Sequence, residues 1–449
     1  MNDEIQSGVY NGSLTIDNLL SERAKTRPGG EAVLFRNRIV TWRELYRLAK
    51  MTEVPRGKLV YIGTPTTERP SIEAFRCILA YLACQVKGKI AIFGKQGTLT
   101  EEEEQKVIDN ASDGTVYDAI LFTSGSTGKP KAVLTKQSAR LRSAALHAKA
   151  LGAVENDRFL LAIPLHHCFS LTANLVCSIL TGAALVIPDD RHSSSIIKAA
   201  SEYKCTVLNA VPTVFSALLR SDSRHKYDLS ALRTGFIGGS PYSPEFFIEA
   251  NNILGLNLIP GLGQTEATAS FTFLPYTATL EERAFTVGRF GDGIDGRIGA
   301  DGEILIRGFC VAEIINQTSS VRDGWLHTGD TGQIRDDGLL VTTGRLKDII
   351  IRGGENISPA EIENALTKAI PEIREVVVFG VSDEHFGEEI ACVLSLEREF
   401  DIKKAIRELK TLPSFKLPKY VYTFNELPKT TGGKFDVAKI KTMVEANNP

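Results

Sequence analysis

Thr123-Ser-Gly-Ser-Thr-Gly-Lys-Pro-Lys131, entered from the apolar run Tyr117-Asp-Ala-Ile-Leu-Phe122, is the stretch on which the reading of this chain depends. Its glycines let backbone N–H groups converge on one point, and its hydroxyls and two ammonium groups add donors suited to phosphate oxygens. The spacing excludes one familiar phosphate loop. A Walker-type loop needs four residues between its first glycine and the Gly-Lys pair, then Ser or Thr. Here two residues separate Gly125 from Gly128, and Pro130 follows Lys129. Taken alone, the run also reads as a solvated turn rich in Gly, Ser and Thr.

Working outward, strand-like runs alternate with helical patterns from 117 to about 260: Ala119–Phe122, Phe159–Ile163, Ala184–Ile187, Thr206–Asn209, Thr234–Ile237 and Leu256–Ile259. In the first helical pattern Leu141, Ala145, Ala148 and Leu151 share a face, and Gly152 ends it. The alternation predicts a largely parallel sheet covered on both sides, with the donor-rich loop after its first strand, a usual place for a ligand. Residues 1–116 read as mixed: a helix around Ile16–Ala24, a strand at Ala32–Phe35, a capping box at Thr41-Trp-Arg-Glu44, and an acidic Thr98–Asp109 that is a solvated helix or loop. From about 270 to 344 short strands such as Gly302–Gly308 and Gly338–Gly344 lie between turns, as in a small barrel or twisted sheet.

A separate α+β unit begins near Lys347. Ser358 is placed as an N-cap, with Pro359 at the first helical position and Glu361 completing the box. Ile362, Leu366 and Ile370 then share a face; strands Val376–Phe379, Ile390–Leu394 and Tyr420–Phe424 and a helix Ile402–Leu412 follow. The expected fold is α/β: a large N-terminal domain of doubly wound, mostly parallel sheets with a small β-barrel, then a small α+β C-terminal domain. A length of 449 residues agrees with more than one domain.

Composition narrows the function class. Hydrophobic residues make up 43%, charged residues 24%, and the formal net charge is −2, which gives no electrostatic case for nucleic acid or an acidic membrane. The seven cysteines form no Cys-x-x-Cys pair, which argues against a disulfide framework and structural zinc. The acidic, polar start is no signal peptide, and no apolar run approaches a membrane span, so a cytoplasmic protein is expected.

Four further segments bear on the chemistry: Gly261-Leu-Gly-Gln-Thr-Glu266; Gly324-Trp-Leu-His-Thr-Gly-Asp330; Gly344-Arg-Leu-Lys-Asp-Ile-Ile-Ile-Arg-Gly-Gly-Glu-Asn-Ile-Ser-Pro359; and Pro428-Lys-Thr-Thr-Gly-Gly-Lys434. With 123–131, in this order and spacing, they resemble the acyl-adenylate-forming superfamily of acyl-CoA synthetases, peptide-synthetase adenylation domains and firefly-type luciferases. The resemblance covers about residues 14–436 and is nearest to an acid–CoA ligase.

Such enzymes join a carboxylate to the α-phosphate of ATP and expel pyrophosphate. A carboxylate is already a nucleophile, so the task is to bring two anions together and stabilise charge, which calls for cations and positioned donors. The resemblance implies that Thr123, Ser124, Gly125, Ser126, Thr127, Gly128 and Lys129 hold the β- and γ-phosphates. Thr265 contacts the α-phosphate, and Glu266 with Thr123 holds Mg²⁺. Asp330 accepts from the ribose hydroxyls, assisted by Arg345. Lys434 bridges the substrate carboxylate and the phosphate during adenylation. Gly239-Ser240-Pro241 and Gly261-Leu262-Gly263-Gln264 frame the adenine. His166, His167, Phe169, Gly239 and Gly263 line the acyl pocket, His167 standing near the carboxylate.

The resemblance also places a hinge at Lys347, between a domain 1–344 and a mobile domain 348–449. One orientation of that domain delivers Lys434; the other presents a backbone-lined tunnel at Gly353 and Gly354 to the pantetheine thiol of CoA. The implied partner is a small carboxylic acid, aryl or fatty, because Phe169, Leu171 and Leu175 suggest an apolar tail. Two departures stand out. Leu262 replaces a usual aromatic residue, and the segment before Thr123 is several tens of residues shorter than in most relatives, with Lys87–Phe93 in place of a longer region. Two other readings stay open here: loading of a carrier-protein phosphopantetheine instead of CoA, and a non-catalytic nucleotide-binding relative.

Overall fold

The computed structural model describes residues 3–63, 70–123, 130–383, 385–429 and 435–446. Up to residue 261 its strands are β1 (Glu31–Phe35), β2 (Arg38–Thr41), β3 (Leu59–Ile62), β4 (Ile90–Phe93), β5 (Tyr117–Thr123), β6 (Lys131–Lys136), β7 (Arg158–Leu160), β8 (Ala184–Val186), β9 (Val207–Leu208), β10 (Thr234–Gly238) and β11 (Asn257–Gly261). They form two sheets. The first is ordered β11-β10-β9-β7-β8-β1-β2 and is parallel except for the β1–β2 hairpin. The second is ordered Glu313–Ile314, β6, β5, β4, β3, with β3, β4 and β5 parallel.

Here the strand Ala119–Phe122 departs from expectation. It belongs to the second sheet, and the donor-rich loop joins β5 to antiparallel β6 as a hairpin rather than leading to a helix. The reason lies in Lys131-Ala-Val-Leu-Thr-Lys136: its buried centre, Ala132 to Thr135, completes a strand that flanking lysines and Pro130 disguise.

Between the sheets runs the helix Gln137–Leu151. Its small and apolar residues are buried on every side, as a helix sandwiched between layers requires. Gly152 ends it in the left-handed conformation, φ 56°, as its position predicts. One core joins Ala91, Ala119 and Leu121 of the second sheet to Phe159, Leu185, Val207 and Ile259 of the first. Each such large side chain, fully buried, contributes roughly 1.5–3 kcal/mol.

The β-rich region after 290 is an open five-stranded antiparallel sheet, ordered 294–298, 303–308, 325–334, 321–322, with 340–345 also on 325–334. Among the described residues no pairing closes it edge to edge, so the expected barrel is a twisted sheet. The acidic segment resolves as a helix, Glu101–Asn110, with Thr100 and Glu103 making a reciprocal capping box. At Thr41 only half of the box forms, because the Glu44 carboxylate turns to Arg38 at 2.7 Å.

Residues 350–446 have cores of their own. Alternation of side chains along 373–383 and 387–396 sends Val378, Ile390, Cys392 and Leu394 to one face, against the helix Pro359–Ala369. Val377, Phe379, Ala391 and Val393 go to the other, against Val437–Ala446. Ser358 departs from its expected role. Its hydroxyl makes no cap hydrogen bond and instead donates to the Thr343 carbonyl at 2.7 Å, tying the helix start to the larger unit. Among the described residues the ion pairs joining the units, Arg220–Glu397 at 3.4 Å and Lys368–Glu245 at 3.7 Å, are exposed and so contribute little. Among the described residues no helix is long and apolar enough to cross a membrane. All seven cysteines are buried free thiols.

Candidate active site

The carboxyl ends of β5, β10 and β11 carry the first group of site residues. Thr123 closes β5 and pairs in register with Lys131 at the start of β6. Its Oγ1 is buried and has no hydrogen-bond partner among the described residues. Ser124, Gly125, Ser126, Thr127, Gly128 and Lys129 lie outside the described residues. Lys131 reaches Glu266 instead, Nζ to Oε1 3.2 Å. Glu266 is only 8% exposed and sits in the single turn Thr265–Ala267, so its charge is set in a dry, fixed place.

The approach to that turn is tight. Gly263 faces Ser270, and a Cβ on Gly263 would stand 2.2 Å from the Ala269 carbonyl oxygen, so no other residue fits. Thr268 and Ala269 hold positive φ, 55° and 121°, a strained pair for residues with side chains. The Thr268 hydroxyl donates to the Cys310 carbonyl at 2.6 Å and helps to hold the turn. The Gln264 Nε2 and, after β10, the Ser240 Oγ are buried without partners among the described residues. Gly239 and Pro241 flank Ser240 and are exposed. Gly238 and Gly261 are register partners, so the two framing segments lie side by side. Leu262 packs partly against the cluster of Ala267 and Phe271, apolar where an aromatic ring was expected.

The second group is built on antiparallel strands. Register places Asp330 opposite Arg345, and Arg345 Nε donates to Asp330 Oδ1 at 2.6 Å. Burial alone would lower the Arg345 pKa, but the charges of Asp330, Asp348 and Glu266 outweigh it and raise it. Both carboxylates of the site therefore share one electrostatic neighbourhood with Lys131 and Arg345. Glu303 braces the turn before Asp330: one oxygen accepts from Gly329 N at 2.7 Å and the other lies 2.6 Å from His327 Nδ1.

His167 and His166 enter the third group, both half-buried. The His166 Nδ1 is buried without a partner among the described residues, and burial, then the charge of Arg191, lowers its pKa. After a single turn the chain runs into a π-helix, Leu171–Val176, a form that often marks functional segments. Asn209 stitches it to β10, donating to the Ala173 carbonyl at 2.9 Å and accepting from Phe236 N at 2.8 Å. Phe169 stands 6.4 Å from the ring of His147, which packs 4.8 Å from Phe236 and 5.1 Å edge-on to Phe273.

His147 is fully buried between the Ser143 carbonyl at 2.8 Å and the Ser270 hydroxyl at 3.1 Å, and burial lowers its pKa to about 4. The unfolded chain binds a proton near pH 6.5 that the folded chain refuses until about pH 4. Stability from this group is therefore complete above pH 6.5 and is lost as pH falls. Between pH 7 and 4 wild type is expected to lose about 3 kcal/mol more than a His147→Gln variant, measured by urea unfolding.

In the small unit, Lys347 lies in the turn Leu346–Asp348. Gly353 and Gly354 have φ 59° and 89°, which a side chain would strain. Arg352 stacks on Phe386 at 4.4 Å and pairs with Glu389 at 2.6 Å. Lys434 lies outside the described residues. The structure thus brings Thr123, Lys131, Glu266, Arg345 and Asp330 together, and the Gly353-Gly354 turn contacts Phe386 of its own unit. Sequence reading missed Glu303, His147 and Asn209 and assigned Lys131 only to phosphate. The available signal was a polar residue inside an apolar run, as at Val207-Leu-Asn-Ala210 and Gly302-Glu-Ile-Leu305.

The residues suit a magnesium–nucleotide group. Buried polar atoms on Thr123, Ser240 and Gln264 have no hydrogen-bond partner among the described residues, and a nearly buried carboxylate on Glu266 supplies a hard oxygen ligand.

Comparison with known proteins gives two family matches: an AMP-binding enzyme domain at residues 78–314 and an AMP-binding enzyme C-terminal domain at residues 361–434. A putative acyl-CoA synthetase YngI of Bacillus subtilis is 32% identical over 367 residues, covering 77% of this chain and 66% of that protein. The mitochondrial medium-chain acyl-CoA ligase ACSF2 of Danio rerio is 31% identical over 353 residues, covering 73% and 58%. The chain thus spans about two thirds or less of the length of these relatives. Among solved structures, the anthranilate CoA ligase AuaEII with anthranoyl-AMP superposes with a TM-score of 0.81 at 19% identity, covering 97% of this chain and 98% of that one. The o-succinylbenzoate CoA synthetase MenE of Bacillus subtilis, in complex with ATP and magnesium, gives 0.76 at 23% identity, covering 94% and 99%. At these identities the likeness is one of fold.

Proposed function

The chain belongs to the AMP-binding enzyme family, and from that premise we propose that it activates a carboxylic acid with ATP, through an acyl-adenylate and with release of pyrophosphate, then passes the acyl group to the thiol of CoA. The observation that carries this reading is the meeting of Glu266, Asp330, Lys131 and Arg345 beside buried donors on Thr123 and Gln264 that have no partner among the described residues. A site whose described residues bring together two carboxylates and two guanidinium or ammonium groups suits charge neutralisation better than proton transfer.

The residues divide the work. Glu266 with Thr123 holds Mg²⁺, which when bound neutralises phosphate charge. Lys131, which contacts Glu266 in this structure, would be free to meet a phosphate oxygen once that carboxylate held the metal. Thr265, Gln264 and the 124–129 loop position the phosphates. Asp330 holds the ribose hydroxyls, its orientation set by Arg345 and by the Glu303-braced turn. Gly239, Ser240, Pro241 and the 261–263 segment cover the adenine, Leu262 by apolar packing. His167 orients the substrate carboxylate. The acid has an apolar or aromatic tail, which the aromatic surroundings of Phe169 and His147 support. Lys434 completes the cationic set during adenylation. Rotation of residues 348–449 about 345–347 then brings Gly353 and Gly354 to the thiol. The exposed ion pairs between the units, Arg220–Glu397 and Lys368–Glu245 among the described residues, are compatible with such motion.

The test is pyrophosphate release from ATP over fatty, aryl and amino acids, with and without CoA. Acid-dependent release, with acyl-CoA formed only when CoA is present, is expected. Nucleotide binding with no acid-dependent release for any acid would contradict the reading. Asp330→Asn supplies a check on the nucleotide site. It keeps the side-chain volume and removes the charge that accepts two hydroxyls, so AMP affinity measured by calorimetry is expected to fall about 10- to 100-fold.

A further inference from the structure

Behind the site lies a fully buried polar chain that the chemistry above does not use. Asp118 on β5 and Arg140 on the helix Gln137–Leu151 are both 0% exposed and form an ion pair through Arg140 Nε and Asp118 Oδ2. Arg140 Nη2 donates to Thr135 Oγ1 on β6 at 2.5 Å, and that hydroxyl donates to Asp118 Oδ1 at 2.8 Å. Arg140 Nη1 donates to Thr172 Oγ1 in the π-helix at 2.8 Å, and Thr172 Oγ1 reaches the Thr268 carbonyl at 3.4 Å. Tyr81 adds a hydrogen bond to Asp118 Oδ2 at 2.9 Å.

The hydrogen-bond partners Asp118, Thr135 and Thr172 of Arg140 sit on, or directly after, segments that carry a site residue. Asp118 lies on the strand that ends in Thr123, and Thr135 on the strand that begins with Lys131. Thr172 follows the His167 segment, and Thr268 directly follows the turn bearing Thr265 and Glu266. A buried ion pair is costly to desolvate, and well-packed apolar residues of similar volume often serve stability as well. Three hydrogen-bonded contacts from β5, β6 and the π-helix, with a further link from Thr172 to Thr268, therefore call for another role.

We propose that Arg140 is a positioning residue that fixes the two arms of the phosphate hairpin, and so Thr123 and Lys131, relative to the Glu266 turn. The metal-holding carboxylate and the phosphate donors then meet preorganised, at no reorganisation cost during reaction. This rests on the function proposed above. Displacements of about 1 Å in such a constellation can cost about 10²-fold in rate.

The experiment compares wild type with the double variant Asp118→Leu/Arg140→Met, which replaces the ion pair by apolar volume, and with Thr172→Val, which removes the hydroxyl that joins Arg140 to the Thr268 carbonyl and leaves the ion pair in place. Three quantities are read: thermal unfolding, equilibrium binding of an ATP analogue bridged by methylene between the α- and β-phosphates with and without Mg²⁺, and acid-dependent pyrophosphate exchange. The double variant is expected to melt near wild type and to bind the metal-free analogue within about 3-fold, but to lose most of the gain from Mg²⁺ and about 10²-fold in exchange rate. Thr172→Val is expected to shift half-saturating Mg²⁺ upward and to slow exchange about 10-fold. A stably folded double variant with wild-type Mg²⁺ dependence and exchange would overturn the proposal. Should the double variant not fold, Thr172→Val decides alone, and an unchanged Mg²⁺ dependence overturns it. If wild type shows no exchange with any acid, the functional reading fails, while the analogue-binding arm still judges the positioning role.

Discussion

Glu266→Gln is expected to slow acid-dependent pyrophosphate exchange by about 10²–10³-fold while leaving metal-free ATP binding intact or tighter. The variant keeps the side-chain volume in a place only 8% exposed, so the fold has little reason to change. What it loses is the anionic oxygen that Mg²⁺ prefers and that Lys131 contacts at 3.2 Å. An amide cannot hold the ammonium as firmly, and Lys131 becomes freer to meet phosphate. Affinity and turnover should thus move apart: binding without metal stays or rises, and the rate with metal collapses. Exchange rates over a Mg²⁺ titration, beside calorimetric ATP binding in chelator, measure both. Parallel loss of both would show that Glu266 serves the local structure instead.

Lys434→Ala is expected to lower adenylate formation by about 10³-fold and to leave thioester formation from a supplied acyl-adenylate within a few-fold of wild type. A lone ammonium matched to a developing negative charge acts only in the step where that charge develops. If residues 348–449 use different faces for the two half-reactions, the face with Gly353 and Gly354 functions without Lys434. Single-turnover assays of each half-reaction separate the two. Equal loss in both would contradict rotation about 345–347.

Much of the fold was legible because its signals are local. Gly152 ends its helix where the pattern placed it, and β10 and β11 follow apolar runs visible in the chain. Register could not be read that way. Lys131–Lys136 hides a buried strand between lysines, and only its pairing with β5 makes the two strands beside the donor-rich loop a hairpin. Ser358 had the right neighbours for a capping box, yet a carbonyl of the larger unit, Thr343, took its hydroxyl. The same limit applies to the site. Asp330 and Glu266 stand in recognisable segments, but Glu303 and Arg140 act across more than twenty residues of sequence or from another element, which no local pattern reveals.

Charge tells a similar story. The sequence contains many lysines near glycines; what marks Lys131 is that folding places it against a nearly buried carboxylate. His147 gave no signal in the sequence because it lies on a helix whose residues are buried all round.

The most direct test of acyl-adenylate formation is to follow oxygen. With an accepted acid labelled with ¹⁸O in its carboxylate, ATP and CoA, the account predicts that one ¹⁸O appears in AMP, that pyrophosphate stays unlabelled and that no ADP forms. Label in inorganic phosphate with ADP as co-product would mean attack at the γ-phosphate and an acyl phosphate, and would contradict it.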